Sequence, residues 1–315
     1  MARGRVLVID PTWDVAWARA ELGEADVSVE AASRPEGEDV VGLLVSPDVP
    51  VGRDELLRLP RLEAVATNAT GFDHLEVEAL ADAGVWCSNV AGYCTEEVAE
   101  HVIAMTLALL RGIVDLDRDV RAGRWYEVTR LPRRVEGACL GIVGFGRIGR
   151  AVAWRARALR LEVLAADGLV SDEAVRADGV EPVELDALLE RADVVTLHAP
   201  LDGSTRGMLD ADAIRRLRPG SFLVNCARAR LADQEALGEA LRSGLLAGAA
   251  FDVFPDEPPA PDEPSLHWPG TIVNPHMAWY SSEAFELCYA LPARDLALAL
   301  TGGEPVYALA RPRRL

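Results

Sequence analysis

The chain has 315 residues, half of them apolar, and a formal net charge of −18. That length exceeds the usual single domain, so two domains are expected, and the apolar share is enough for two cores. So acidic a surface argues against nucleic acid or an anionic membrane as a direct partner. No apolar run approaches membrane-span length, and Met1-Ala2-Arg3-Gly4-Arg5 leads straight into a strand rather than a signal peptide. The five cysteines show no paired spacing, which reads as free thiols in a reducing cytoplasm. There is no lysine, so all cationic chemistry falls to arginine and histidine, and the Ala, Arg and Gly content fits a GC-rich bacterial genome.

In chain order, strand-like runs fall at Arg5 to Ile9, Ala25 to Val29, Gly42 to Ser46, Leu62 to Thr67 and Val85 to Val90, with helix-like stretches such as Leu75 to Ala83 between them. This alternation predicts a small, doubly wound parallel sheet. A longer helix, from about Glu96 to Arg111, is apolar on nearly every side and is expected to pack against something beyond its own domain. A polar, Arg-rich connection, Asp115 to Glu136, follows.

The next unit is the most informative. Strand Cys139 to Val143 enters the turn Gly144-Phe145-Gly146-Arg147-Ile148-Gly149, a helix runs from Ile148 to Leu159, and a second strand ends at Asp167. Strand, glycine turn, helix and terminal acid in this register make a dinucleotide site. Gly144 permits the tight turn, Gly146 lets backbone approach the pyrophosphate, and Gly149 lets helix and sheet close up. The helix start presents N–H groups to phosphate. Asp167 would accept the ribose hydroxyls and repel a 2′-phosphate, which favours NAD over NADP. The turn lies mid-chain, so a whole domain precedes the cofactor domain.

Six strands are expected in this second part: Leu140 to Val143, Glu162 to Ala166, Val194 to His198, Ser221 to Asn225, Ala247 to Val253 and Thr271 to Asn274. Phe254 to Pro269 reads as a Pro- and acid-rich loop, and Glu283 to Leu300 as a final helix. Three chemistry-bearing segments sit at strand ends, where open α/β sheets bind ligands: Asn225-Cys226-Ala227-Arg228, Asp252 with Glu257, and Pro275-His276-Met277-Ala278-Trp279. An Arg, a Glu and a His together can reduce a carbonyl. The histidine protonates the nascent alkoxide, the carboxylate supports the imidazolium, and the guanidinium holds a substrate carboxylate. By residue type alone, Arg228 reads equally as a strand-end charge, Glu257 as a loop charge and His276 as a packed loop histidine. His74, His101, His198 and His267 lack metal-ligand spacing, so no metal site is expected.

The order glycine turn, Asn-x-Ala-Arg, Asp-Val-x-x-x-Glu-Pro and Pro-His-x-Ala resembles the D-isomer-specific 2-hydroxyacid dehydrogenase family. The likeness extends to Thr70-Gly71-Phe72-Asp73, Glu96 to His101 and Val195 to His198. Through Pro275 to Ser281 and Val163 to Asp167 it looks closest to the C-terminal-binding proteins and their bacterial relatives. The resemblance implies an α/β protein of two doubly wound parallel-sheet domains, with a Rossmann NAD domain (99–282) inserted into a flavodoxin-like substrate domain (1–98 plus 283–315). It implies a homodimer formed through the apolar helix, and NAD-dependent interconversion of a small 2-keto acid and its D-2-hydroxy acid. His276 would be the acid/base, Glu257 its partner and Arg228 the substrate anchor. Cofactor contacts would come from Gly144, Gly146, Arg147, Ile148, Gly149, Asp167, His198, Ala199, Pro200, Thr205, Cys226, Ala227 and Thr95, with Asp252 facing the nicotinamide carboxamide. Backbone at Ala69, Thr70 and Gly71 would bind the substrate carboxylate, and Trp279 would wall the pocket.

Departures are informative too. Ala229-Arg230 replaces the family's usual Gly-Gly, which makes Arg230 a candidate for selectivity or a second anion contact. Thr67 stands where the C-terminal-binding proteins carry Arg, and Tyr93 and Cys94 are further pocket-wall candidates. Formate oxidation resembles a His–Gln pair, against which Glu257 speaks, and phosphite oxidation relies on a lysine. Phosphoglycerate oxidation stays open, as does an NAD-sensing scaffold without turnover.

Overall fold

The computed structural model describes residues 2–23, 25–126 and 130–313. They fall into two compact units, one of Met1–Tyr93 with Ser281–Leu315 and one of Cys94–Tyr280.

In the first unit, strands β1 (Arg5–Ile9), β2 (Ser28–Ala31), β3 (Val40–Val45), β4 (Ala64–Thr67) and β5 (Trp86–Ser88) form a parallel sheet. A closing strand, Ala308–Ala310, adds antiparallel to β5, giving the order closing strand-β5-β4-β3-β1-β2. Every residue of β3 and β4 is buried, as the unbroken apolar runs of central parallel strands require. The last long helix, Ser282–Leu300, returns to cover β3, β4 and β5. Its buried Asp295 accepts the Val306 and Tyr307 N–H groups at 2.9 and 2.8 Å, tying down the turn into the closing strand. The carboxyl end of β4 leads into Asn68 to Gly71. There Val90 N–H donates to Ala69 O and the Asn89 side chain to Thr70 O, so the loop is cross-tied.

The second unit holds β6 (Cys139–Val143), β7 (Glu162–Ala166), β8 (Glu181–Pro182), β9 (Val194–Leu197), β10 (Ser221–Asn225), β11 (Leu246–Phe251) and β12 (Thr271–Val273). All pair in parallel in the order β12-β11-β10-β9-β6-β7-β8. The chain winds one way from β6 and returns to its other side with β9, so the β6/β9 junction is the switch point at which such sheets take ligands.

The architecture is the expected α/β pair of parallel-sheet units, with local corrections. The second sheet has seven strands, not six, because β8 is a two-residue strand without a periodic signal. Strand β2 lies at Ser28–Ala31 rather than Ala25 to Val29. The supposed connection after the apolar helix contains a helix, Ile113–Arg121, none of whose residues is buried. Its charges pair along its own surface, Arg121 with Asp117 at 2.8 Å, so it needs no core of its own. The apolar helix spans Thr95–Arg111 and packs on helix Arg147–Ala158, β10 and β11. Much of its apolar surface is therefore used inside its own unit, while Ala104 is exposed and Leu107 and Ala108 stay partly exposed.

Candidate active site

At the switch point, Gly144 has φ +93°, a left-handed conformation, and a side chain there would collide with the Ala199 backbone. Gly149 is buried on the first turn of the helix, where a Cβ would strike Gly144 O. Gly146, at the helix N-cap, has nothing within 4 Å of its missing side chain. Open space over backbone at a helix start, one strand from a carboxylate, fits a dinucleotide pyrophosphate. Arg147 is exposed and Ile148 half-buried beside it.

Asp167 follows β7 directly and turns its carboxylate back on the glycine loop. It accepts Phe145 N–H at 2.6 Å, Leu169 N–H at 2.7 Å and Val170 N–H at 3.0 Å. Partial burial works against its ionisation, but these three donors prevail and hold its carboxyl below the usual range. The acid is thus a fixed anion that shapes the loop, and its remaining lone pairs are what a ribose can use.

After β9, burial pushes the His198 imidazole down to about 4, so the ring is neutral at physiological pH. Its Nε2 lies 3.1 Å from Thr196 Oγ1. Ala199 is buried and Pro200 exposed, and Thr205 folds back to donate to Pro200 O at 2.6 Å. Thr95 is the first residue of the apolar helix, and Cys94, buried, caps it. Tyr93 closes the first unit's opening segment. Thr67 is fully buried and bonds His74 Nε2 at 3.1 Å.

The chemistry-bearing groups of the second unit gather at the carboxyl ends of β10, β11 and β12. Asn225, which ends β10, receives Ala227 N–H at 3.0 Å on its side-chain oxygen and donates to Arg228 O at 2.9 Å. These bonds fold the turn that presents Arg228, with half-buried Cys226 and Ala227 within it. Burial, and then the Asp252 charge, push the Cys226 thiol up, so it is no nucleophile at neutral pH.

Glu257 bridges two loops: Oε1 accepts Phe254 N–H at 2.8 Å, and Oε2 lies 2.5 Å from His276 Nδ1. Half-burial opposes its ionisation, but the His276 hydrogen bond and charge, the Phe254 N–H and the Arg228 charge together hold its carboxyl below the usual range. With Nδ1 engaged, Nε2 is the imidazole nitrogen left for a reactant.

His276 itself has φ +54°, strained for a residue with a side chain. What holds it is Asp252, fully buried after β11, whose two oxygens accept Met277 N–H at 2.9 Å and Ala278 N–H at 2.8 Å. Sequence reading assigned Asp252 to the nicotinamide carboxamide. In the structure both of its oxygens accept from the histidine loop, a contact compatible with that role and hidden from the sequence because donor and acceptor are 25 residues apart or more. His101 was also missed: its Nε2 approaches Asp252 to 4.0 Å.

Arg230 donates to Pro255 O at 3.3 Å and sits 3.7 Å from Asp256, so its exposed guanidinium lies against the loop that carries Glu257. Trp279 is half-buried and stacks edge-on with Tyr280, centroids 5.2 Å apart. Ala69, Thr70 and Gly71 belong to the first unit.

Comparison with known proteins agrees with this geometry. Residues 103–278 match the family model described as D-isomer specific 2-hydroxyacid dehydrogenase, NAD binding domain. The chain is 37% identical over 259 residues to a glyoxylate reductase of Korarchaeum cryptofilum, covering 81% of this chain and 78% of that one. It is 36% identical over 265 residues to a glycerate dehydrogenase of Methylorubrum extorquens, covering 82% of each. Among solved structures, D-lactate dehydrogenase from Aquifex aeolicus, complexed with NAD and lactic acid, superposes with a TM-score of 0.90 at 26% identity, covering 98% of this chain and 100% of that one. These comparisons carry the family and not the narrower C-terminal-binding subgroup.

Proposed function

This chain belongs to the D-isomer specific 2-hydroxyacid dehydrogenase family, and from that premise we propose that it interconverts a small 2-keto acid and its D-2-hydroxy acid with NAD(H), using His276 as acid/base. The observation that carries the reading is the 2.5 Å contact between His276 Nδ1 and Glu257 Oε2, with the Arg228 charge acting on the same carboxylate.

NADH, when bound, would supply the hydride that reduces the keto acid, and in the reverse direction NAD would accept a hydride from the hydroxy acid and leave as NADH. Gly144, Gly146, Arg147, Ile148 and Gly149 would hold the pyrophosphate, Asp167 the ribose, and His198, Ala199, Pro200, Thr205, Cys226, Ala227 and Thr95 would complete the contacts. Arg228 anchors the keto acid and polarises its carbonyl. As C2 is reduced, negative charge develops on its oxygen and His276 Nε2–H delivers a proton there. Glu257 then stabilises the reprotonated imidazolium for the next turnover. Trp279 walls the pocket. A scaffold without turnover has no observation in its favour.

We assign the chain a homodimeric state on a second observation. Ile113, Val120, Trp125, Leu131 and Trp154 are all large, apolar and more than half exposed, and all belong to the second unit. Where such side chains adjoin, they form the kind of apolar surface that a second copy of the chain would cover.

Purified protein with NADH should reduce at least one acid of a panel of glyoxylate, hydroxypyruvate, pyruvate and longer 2-keto acids. His276→Ala should lower kcat by about 10²–10⁴-fold. If NADH binds but no acid in the panel is reduced, the scaffold reading replaces this one.

A further inference from the structure

We propose that His101 is a positioning residue for this reaction, acting through Asp252 on the loop that presents His276. Helix Thr95–Arg111 places His101 and Met105 four residues apart on one face. That face lies against the carboxyl ends of β10 and β11: Met105 Sδ is 3.7 Å from Cys226 Sγ, and His101 Nε2 is 4.0 Å from Asp252 Oδ1. The Nε2 atom is sealed from solvent and has no hydrogen-bond partner among the described residues. Asp252 is sealed as well, with two backbone donors, Met277 N–H and Ala278 N–H, on its oxygens.

A buried carboxylate holding two neutral donors is short of donors, and a buried imidazole nitrogen without a partner is short of an acceptor. Each supplies what the other lacks. Closing the gap to an ordinary hydrogen bond takes a movement of about 1 Å. Asp252 so completed holds the Met277 and Ala278 amides more firmly. Those amides follow His276 directly and keep it at φ +54°, a conformation that persists only where its surroundings impose it. A weaker grip lets that backbone relax and carries Nδ1 away from Glu257, so the imidazole is presented less often in the productive orientation.

This rests on His276 as proton donor, yet the two readings fail separately. The experiment compares His101→Gln, whose amide reaches as far as Nε2 and keeps an N–H donor, with His101→Asn, which is too short, and His101→Leu, which has no donor. Three quantities are read: kcat, KM for NADH, and hydrogen exchange at the Met277 and Ala278 amides. For His101→Asn and His101→Leu, kcat should fall by about 10-fold or more with KM for NADH changed less than about twofold. Exchange at the two amides should rise by about 10-fold or more. His101→Gln should stay within about threefold of the natural chain on all three. Should His101→Leu not fold, the two amide variants decide alone. Unchanged exchange and turnover in His101→Asn overturns the proposal, as does a loss in His101→Gln as deep as in His101→Asn. Exchange is measurable whether or not any keto acid is turned over, so an inactive natural chain would strike at the reductase reading and leave the exchange result to judge this one.

Discussion

Glu257 is where the site's electrostatics are most exposed to test. Its carboxyl is half-buried, which alone would favour the neutral acid, and is held ionised chiefly by the His276 bond. The folded-state value is depressed, so the stabilisation it brings is fully present above the ordinary glutamate value of about 4.3 and is lost as pH falls through the lower folded value. Through pH 5 to 8 the pair therefore keeps its anion. Replacing the charge by an amide, Glu257→Gln, should cost about 10–100-fold in kcat at pH 7 with NADH affinity unchanged. The difference in thermal stability between the two proteins should shrink in acid below about pH 4. A Glu257→Gln enzyme with natural kcat would remove the carboxylate from the mechanism. Asp167 obeys the same sign through a different cause, three backbone donors in place of an imidazole.

Among the elements, the β6–turn–helix unit is the one most tightly specified by close contact. An alanine at Gly149 must push its Cβ into Gly144 O, a backbone atom with no rotamer to give. Gly149→Ala should destabilise the protein by about 1–3 kcal/mol, seen as a lower unfolding midpoint, and raise KM for NADH well before it lowers kcat. If both stay at natural values, the turn does not depend on this close approach. This unit was also the most legible in the sequence, because glycines, helix start and Asp167 lie within one short local pattern. The order Arg228, Glu257, His276 was legible for a related reason: each follows directly on a recognisable apolar strand. What escaped detection was non-local or weakly patterned. The Asp252 grip on Met277 and Ala278 and the approach of His101 join segments far apart in the chain. Strand β8 is two residues long, and helix Ile113–Arg121 fully buries none of its few apolar residues, so neither has the periodicity that burial imposes. The apolar helix has a neighbouring helix and two strands of its own unit against much of its surface, partners that its apolar pattern alone does not name.

For the whole molecule, the exposed apolar side chains of the second unit predict that light scattering will find twice the monomer mass. Ile113→Glu combined with Trp154→Glu should yield monomers with the far-ultraviolet dichroism of the natural chain. A natural protein that is monomeric at micromolar concentration would withdraw the dimer. The closing segment of the first unit has a different consequence, in the order of events at the ribosome. Strands β3 and β4 are buried on every residue, and the helix that covers them is Ser282–Leu300. At about 5–20 residues per second, roughly 10–40 s of synthesis separate β4 from that helix. All of Cys94–Tyr280 emerges in that interval and has its full sheet before the first unit has its cover. The part of the chain made first is thus the part finished last. Until helix Ser282–Leu300 emerges, its apolar strands lack their cover.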